Sequence, residues 1–144
     1  ALAWGVVTSL LPPLAQEGRL LPATGVAFLF STILVFVRST LYDLKDIQGD
    51  LMVGKETIPI VLGRKRAETL VVWMLLGLGG VLTVAGPLRW ASPITSFLLI
   101  SLGYIVGYYW LYRQRVLGRG FLFEGVVDGS FIFAGLLALT WTVF

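Results

Sequence analysis

The sequence predicts an all-α protein, a polytopic transmembrane bundle of about five helices with the first one truncated. Three observations predict it. Hydrophobic residues make up 57% of the 144 residues and charged residues only 13%, where a soluble domain carries about 25% charged; mean hydropathy is +0.88. The apolar residues fall in runs approaching the roughly 20 residues that a hydrocarbon core requires. The basic residues collect in the connections between these runs. A chain of this size cannot hide so much apolar surface in a core of its own, so residues 1–144 read as a single membrane-embedded domain fragment.

Residues 1–14 are apolar but too short to span a bilayer. They have no basic leader and no small-residue cleavage site, so they read as the tail of a spanning helix rather than as a signal peptide. Pro12-Pro13 is expected to end that helix, and residues 16–22 form a short polar connection. The second helix is expected from near Thr24 to about Gly49. Some 26 residues at 1.5 Å each give roughly 40 Å, so its polar end projects beyond the hydrocarbon. Gly49 and Gly54 are expected breaks, and residues 55–66 form a loop ending in Arg64-Lys65-Arg66. The third helix is expected over 67–86, with Gly77, Gly79 and Gly80 permitting close packing. A tight connection over 87–92 leads to a fourth helix over 93–112. That helix ends in the aromatic belt Tyr108, Tyr109, Trp110 and Tyr112. Residues 113–124 return the chain, and 125–144 form the last span.

This order sorts the charges. Lys45, Lys55, Arg64, Lys65, Arg66, Arg113, Arg115 and Arg119 share one side of the membrane, and only Arg19 and Arg89 fall on the other. The positive-inside rule makes the first side cytoplasmic. The chain therefore reads as an integral protein of a cell inner or plasma membrane, and its net charge of +3 needs no nucleic acid to explain it. With no cysteine and no histidine, Cys-based metal or nucleophile chemistry is excluded and the commonest general base is missing. Any metal must be held through oxygen, which favours Mg²⁺ or Ca²⁺ over zinc.

Three of the four aspartates, Asp43, Asp46 and Asp50, stand at the polar end of the second helix. On a continuous helix, residues at i, i+3 and i+7 share one face within a sector of roughly 60°. Three carboxylates so close repel one another unless a cation or a proton joins them. One reading is a face for a divalent cation; the other is a solvated helix end with Lys45 and Lys55 as counterions. Lys45 lies roughly 130° from that face, whereas Ser39 shares it. Arg38, at the inner end of the apolar run, either snorkels to the interface or pairs with an anion. Gly49-x-x-x-x-Gly54-Lys55 resembles the start of a P-loop, but Glu56 stands where Ser or Thr is required, and a helix precedes it instead of a strand. A nucleotide site is rejected, although Lys55 remains able to reach a diphosphate. Asp128, three residues into the last span, reads either as a functional intramembrane residue or, being close to the cytoplasmic end, as a hydrated structural one. Glu68 and Glu124 read as ordinary interface residues.

The block from Tyr42 to Gly63, YDLKDIQGDLMVGKETIPIVLG, resembles the second aspartate-rich motif of the UbiA superfamily of intramembrane prenyltransferases. Asp46 and Asp50 match its Asp-x-x-x-Asp core, and Gly54, Lys55, Thr57, Ile58, Pro59, Leu62 and Gly63 match the segment that follows. The resemblance implies the carboxy-terminal part of a nine-helix bundle. Its missing amino-terminal half would carry a first motif, usually Asn-Asp-x-x-Asp-x-x-x-Asp. It also implies Mg²⁺ held by Asp43, Asp46 and Asp50, with Asp46 and Asp50 catalytic and with Lys55 and Arg38 on the diphosphate. The reaction implied is Mg²⁺-dependent transfer of a prenyl group from an allylic isoprenyl diphosphate to a lipophilic or aromatic acceptor. An aromatic ring in quinone biosynthesis is the expected acceptor, and the fragment alone is expected to be inactive. Two other classes compete: a cation or solute transporter, and an inactive helical partner subunit.

Overall fold

The computed structural model of the chain describes residues 1–88, 94–114 and 121–143, which are helical apart from short turns and contain no strand. The elements are α1 (Leu2–Gly5), a π-helical turn (Val6–Leu10), α2 (Leu11–Glu17), α3 (Pro22–Lys45), α4 (Ile47–Met52), α5 (Ile58–Leu62), α6 (Arg64–Ala85), α7 (Ile94–Arg113) and α8 (Phe121–Val143).

The long helices form because apolar residues recur at the helical period. In α3 the buried stripe is Val26, Phe30, Leu34, Val37, Leu41 and Leu44, and in α6 it is Ala67, Val71, Leu75, Leu78, Leu82 and Ala85. Steps of three and four residues keep each stripe on one face. The opposite face of α6 is apolar too, with Trp73, Leu76 and Val84 exposed. A helix apolar all round belongs in lipid or in a larger core. Among the described residues, α3 and α6 have the length and composition to cross a bilayer.

The chain forms two compact units. One comprises Ala1–Leu20 with Ala27–Leu78, and the other comprises Leu21–Val26 with the described residues from Gly79 onward. In the first unit, Pro12-Pro13 does not end a helix as expected. The two prolines occupy the first turn of α2, which follows directly on the π-helical turn, and a first turn is where proline is tolerated in a helix. Gly18, at φ 65°, closes α2 with its N–H donating to Leu14 O at 3.1 Å. Gly5 seats against Thr32 and Phe28 of α3, where a Cβ has no room. Nearby, the Ser9 and Ser31 hydroxyls are 3.0 Å apart.

The second helix departs from expectation at its polar end, since α3 stops at Lys45 instead of running to Gly49. The expected loop over 55–66 holds a short helix, α5, and the basic run Arg64-Lys65-Arg66 is the first turn of α6. Arg64 Nε donates to Glu68 Oε1 at 2.9 Å, an i,i+4 pair that offsets positive charge at a helix N-terminus.

In the second unit α7 packs on α8. The Tyr104 hydroxyl donates to Val126 O at 2.9 Å, and its ring stacks on Phe133 with centroids 5.3 Å apart. Of the three glycines expected to permit close packing, Gly79 lies against Leu102, while Gly77 and Gly80 meet no described atom within 4 Å of a built Cβ. Asp128 is half-buried on α8. Arg89, Arg115 and Arg119 of the charge count, most of the 87–92 connection, Pro93 and Phe144 lie outside the described residues.

Candidate active site

The Asp-rich stretch is not one helix. α3 ends at Lys45, Asp46 takes φ −114° and ψ 29°, and α4 begins at Ile47. Turn hydrogen bonds nevertheless continue through the break, from Asp46 N–H to Tyr42 O at 3.1 Å and from Asp50 N–H to Asp46 O at 2.9 Å. The break swings the Asp46 carboxylate over Gly49, where a Cβ would stand 2.6 Å from Asp46 Oδ1. The common face expected for Asp43, Asp46 and Asp50 is therefore divided. Asp46 is exposed, Asp43 half-buried and Asp50 buried at 8% exposure.

What brings the remaining groups together is the turn after α4. Gly54 sits at φ 68°, its N–H donates to Leu51 O at 3.3 Å, and the Lys55 N–H donates to Asp50 O at 3.0 Å. These two bonds make a Schellman cap, with the glycine in the left-handed position. The cap folds the chain back, so that Lys55 Nζ lies 3.4 Å from Asp50 Oδ1 and 3.8 Å from Asp43 Oδ1. The two glycines of the rejected P-loop pattern thus have separate duties. Gly49 makes room for a carboxylate, and Gly54 turns the lysine back onto two others.

Arg38 places its guanidinium 4.9 Å from the centre of the Tyr42 ring, and Lys45 Nζ lies 6.0 Å from it. Tyr42 thus carries a cation on either side, at i−4 and i+3, the spacings at which helical side chains meet. Sequence reasoning did not single it out, although that spacing was its signal. Ser39 is exposed. Thr57 is buried at 6% exposure, and its Oγ1 finds no hydrogen-bond partner among the described residues.

Among the described residues no three carboxylates converge closely enough to hold a metal by themselves. Two do converge, with oxygen donors only, and already share one cation. That donor set fits Mg²⁺, which typically takes one or two carboxylates and completes its shell with water and substrate phosphate. Asp43 and Asp50, the two carboxylates that Lys55 brings into register, are the side chains that could hold it. In this arrangement Asp46 is exposed and stays outside the pair.

Comparison with known proteins gives this arrangement a context. The sequence pattern of the UbiA prenyltransferase family matches residues 1–124, a range that contains every residue of the Asp-rich stretch. The chain belongs to the UbiA prenyltransferase family. Members of this family are integral membrane proteins and generally use Mg²⁺ with Asp-rich motifs. A digeranylgeranylglyceryl phosphate synthase of Pyrococcus abyssi is 38% identical over 71 residues, covering 49% of this chain and 21% of that protein. Its counterpart in Methanosarcina mazei is 29% identical over 100 residues, covering 69% of this chain and 29% of that protein. The matched stretch thus spans between a fifth and a third of these relatives. No solved structure matches the chain.

Proposed function

We propose that this UbiA-family chain supplies the diphosphate-handling end of an intramembrane prenyltransferase. The reaction transfers a prenyl group from an allylic isoprenyl diphosphate to a lipophilic acceptor. The observation that carries this reading is the convergence of Asp43, Asp50 and Lys55 at the polar end of an apolar helix, with Lys55 Nζ 3.4 and 3.8 Å from the two carboxylates. The Arg64-Lys65-Arg66 run follows in the same stretch, so we assign this end to the cytoplasmic face.

In the proposed reaction the bond between the allylic carbon and the diphosphate oxygen breaks, and its electron pair leaves with the diphosphate. The acceptor's nucleophilic atom forms the new carbon bond and gives up its proton. Asp43 and Asp50 would hold Mg²⁺, which would supply charge neutralisation for the departing diphosphate. Lys55 adds a compact, mobile positive charge to the same leaving group. Arg38, held over Tyr42 and about two turns deeper than Lys45, is assigned to the phosphate nearer the apolar region. The apolar helices bury the isoprenoid and keep water from an allylic cation.

The names of the relatives favour a glyceryl phosphate lipid as acceptor over the aromatic quinone precursor expected from sequence. The test uses the full-length protein in lipid nanodiscs with Mg²⁺ and geranylgeranyl diphosphate. Geranylgeranylglyceryl phosphate and hydroxybenzoate are offered as rival acceptors. Asp46, exposed beside the pair, is assigned to the ion that arrives with the diphosphate, so prenylated lipid is expected, lost on chelation and lost in Asp50→Asn and Asp46→Ala. Undiminished turnover in both variants would remove the Asp-rich stretch from the reaction. Preference for hydroxybenzoate would restore the quinone assignment.

A further inference from the structure

Lys55 contacts the same two carboxylates, Asp43 and Asp50, that the candidate site offers to a metal. Its Nζ stands 3.4 Å from Asp50 Oδ1 and 3.8 Å from Asp43 Oδ1. A Mg²⁺ ion on the same two carboxylates, with oxygen contacts at about 2.0–2.1 Å, would stand beside the ammonium, and like-charge repulsion sets the two cations against each other. Either cation relieves the repulsion between the two carboxylates, so the two compete.

We propose that Lys55 is a resident cation that closes this motif to free metal and leaves it for the incoming diphosphate, so that metal and substrate enter together. The inference rests on the proposed function and adds an order of binding to it. Three features support it. The Lys55 side chain is 61% exposed, so its ammonium is open to solvent and to an incoming anion. Its backbone is anchored by the Gly54 cap, which holds the root of the side chain beside Asp50, so the ammonium exchanges between nearby partners without loss of the turn. A diphosphate also carries more negative charge than a single carboxylate and competes for a compact ammonium through Coulomb attraction.

This role differs from that of a simple diphosphate clamp. A clamp predicts that removing the lysine charge weakens diphosphate binding and leaves metal affinity unchanged when no diphosphate is present. A resident cation predicts that metal affinity rises. Only the Lys55 end of these two pairs is solvent-exposed and screened, so each is worth a factor of about five as a competitor. Losing two of them as competitors raises metal affinity on the order of tenfold.

The test is Mn²⁺ binding followed by electron paramagnetic resonance on the full-length protein in detergent, with and without inorganic pyrophosphate. Mn²⁺ shares the oxygen-ligand preference of Mg²⁺. Wild type is expected to bind Mn²⁺ weakly alone and far more tightly with pyrophosphate. Lys55→Gln is expected to bind Mn²⁺ alone on the order of tenfold more tightly, with a smaller gain from pyrophosphate. Lys55→Arg, which keeps the charge, is expected to stay near wild type. Equal or weaker Mn²⁺ binding by Lys55→Gln without pyrophosphate overturns the inference, as does identical behaviour of the Gln and Arg variants. Asp50→Asn separates the two readings. If it abolishes Mn²⁺ binding while Lys55→Gln changes nothing, the metal site stands and the resident-cation role falls. If Asp50→Asn leaves Mn²⁺ binding intact, both fall.

Discussion

Replacing Gly54 tests the turn on which the candidate site depends. Its backbone sits at φ 68°, and a built Cβ meets nothing within 4 Å, so the cost of a side chain there is conformational and not steric. Forcing a non-glycine residue into the left-handed region costs roughly 1–2 kcal/mol, while asparagine tolerates it better. The cap bond from Lys55 N–H to Asp50 O, at 3.0 Å, reports the turn directly. Amide exchange at Lys55, measured by hydrogen–deuterium exchange on the full-length protein, should quicken about five- to thirtyfold in Gly54→Ala if opening is local. Gly54→Asn should show only a fraction of that effect. Exchange unchanged in the alanine variant, or an asparagine variant as perturbed as alanine, would refute a left-handed cap at this position. It would also remove the reason that Lys55 lies over Asp50.

Other substitutions test the rest of the arrangement. Gly49→Ala places a Cβ 2.6 Å from Asp46 Oδ1. It should displace that carboxylate and weaken Mn²⁺–pyrophosphate binding severalfold while leaving thermal stability unchanged or slightly raised; unaltered binding would detach Asp46 from the metal. Tyr104→Phe removes the 2.9 Å bond to Val126 O but keeps the ring stack, so denaturant unfolding should record a loss of about 1 kcal/mol. Leu82→Ala, at a position with 0% exposure, should cost about 2–5 kcal/mol. Leu76→Ala, on the exposed face of the same helix at 61%, should cost under about 1 kcal/mol by the same measurement.

The helices were legible where a single physical rule governed them. The stripe from Val26 to Leu44 and the stripe from Ala67 to Ala85 are written in the spacing of apolar residues, and periodicity finds them without tertiary knowledge. Their ends were less legible because contacts decide them. Pro12-Pro13 read as a stop, yet proline is equally at home in a first turn, and only the π-helical turn ahead of it decides which applies. The end of α3, at Lys45 and not Gly49, departs from the spacing for a related reason. Helical spacing placed Asp43, Asp46 and Asp50 on one face, but that spacing ignores the charge the residues carry.

The divided Asp cluster shows how charge and glycine placement act together here. Three carboxylates on one continuous face would leave Lys55 too few charges to offset them. The break at Asp46 moves one carboxylate over Gly49 and leaves two within reach of the lysine that the Gly54 cap returns. Gly49, Gly54 and Lys55 match the opening of a P-loop, so a pattern match alone assigns them to a nucleotide. Their geometry assigns them to the aspartates upstream. A glycine-rich run ending in lysine is informative only together with the charges that its turn brings into reach. In this chain those charges are Asp43 and Asp50, one on each side of the break.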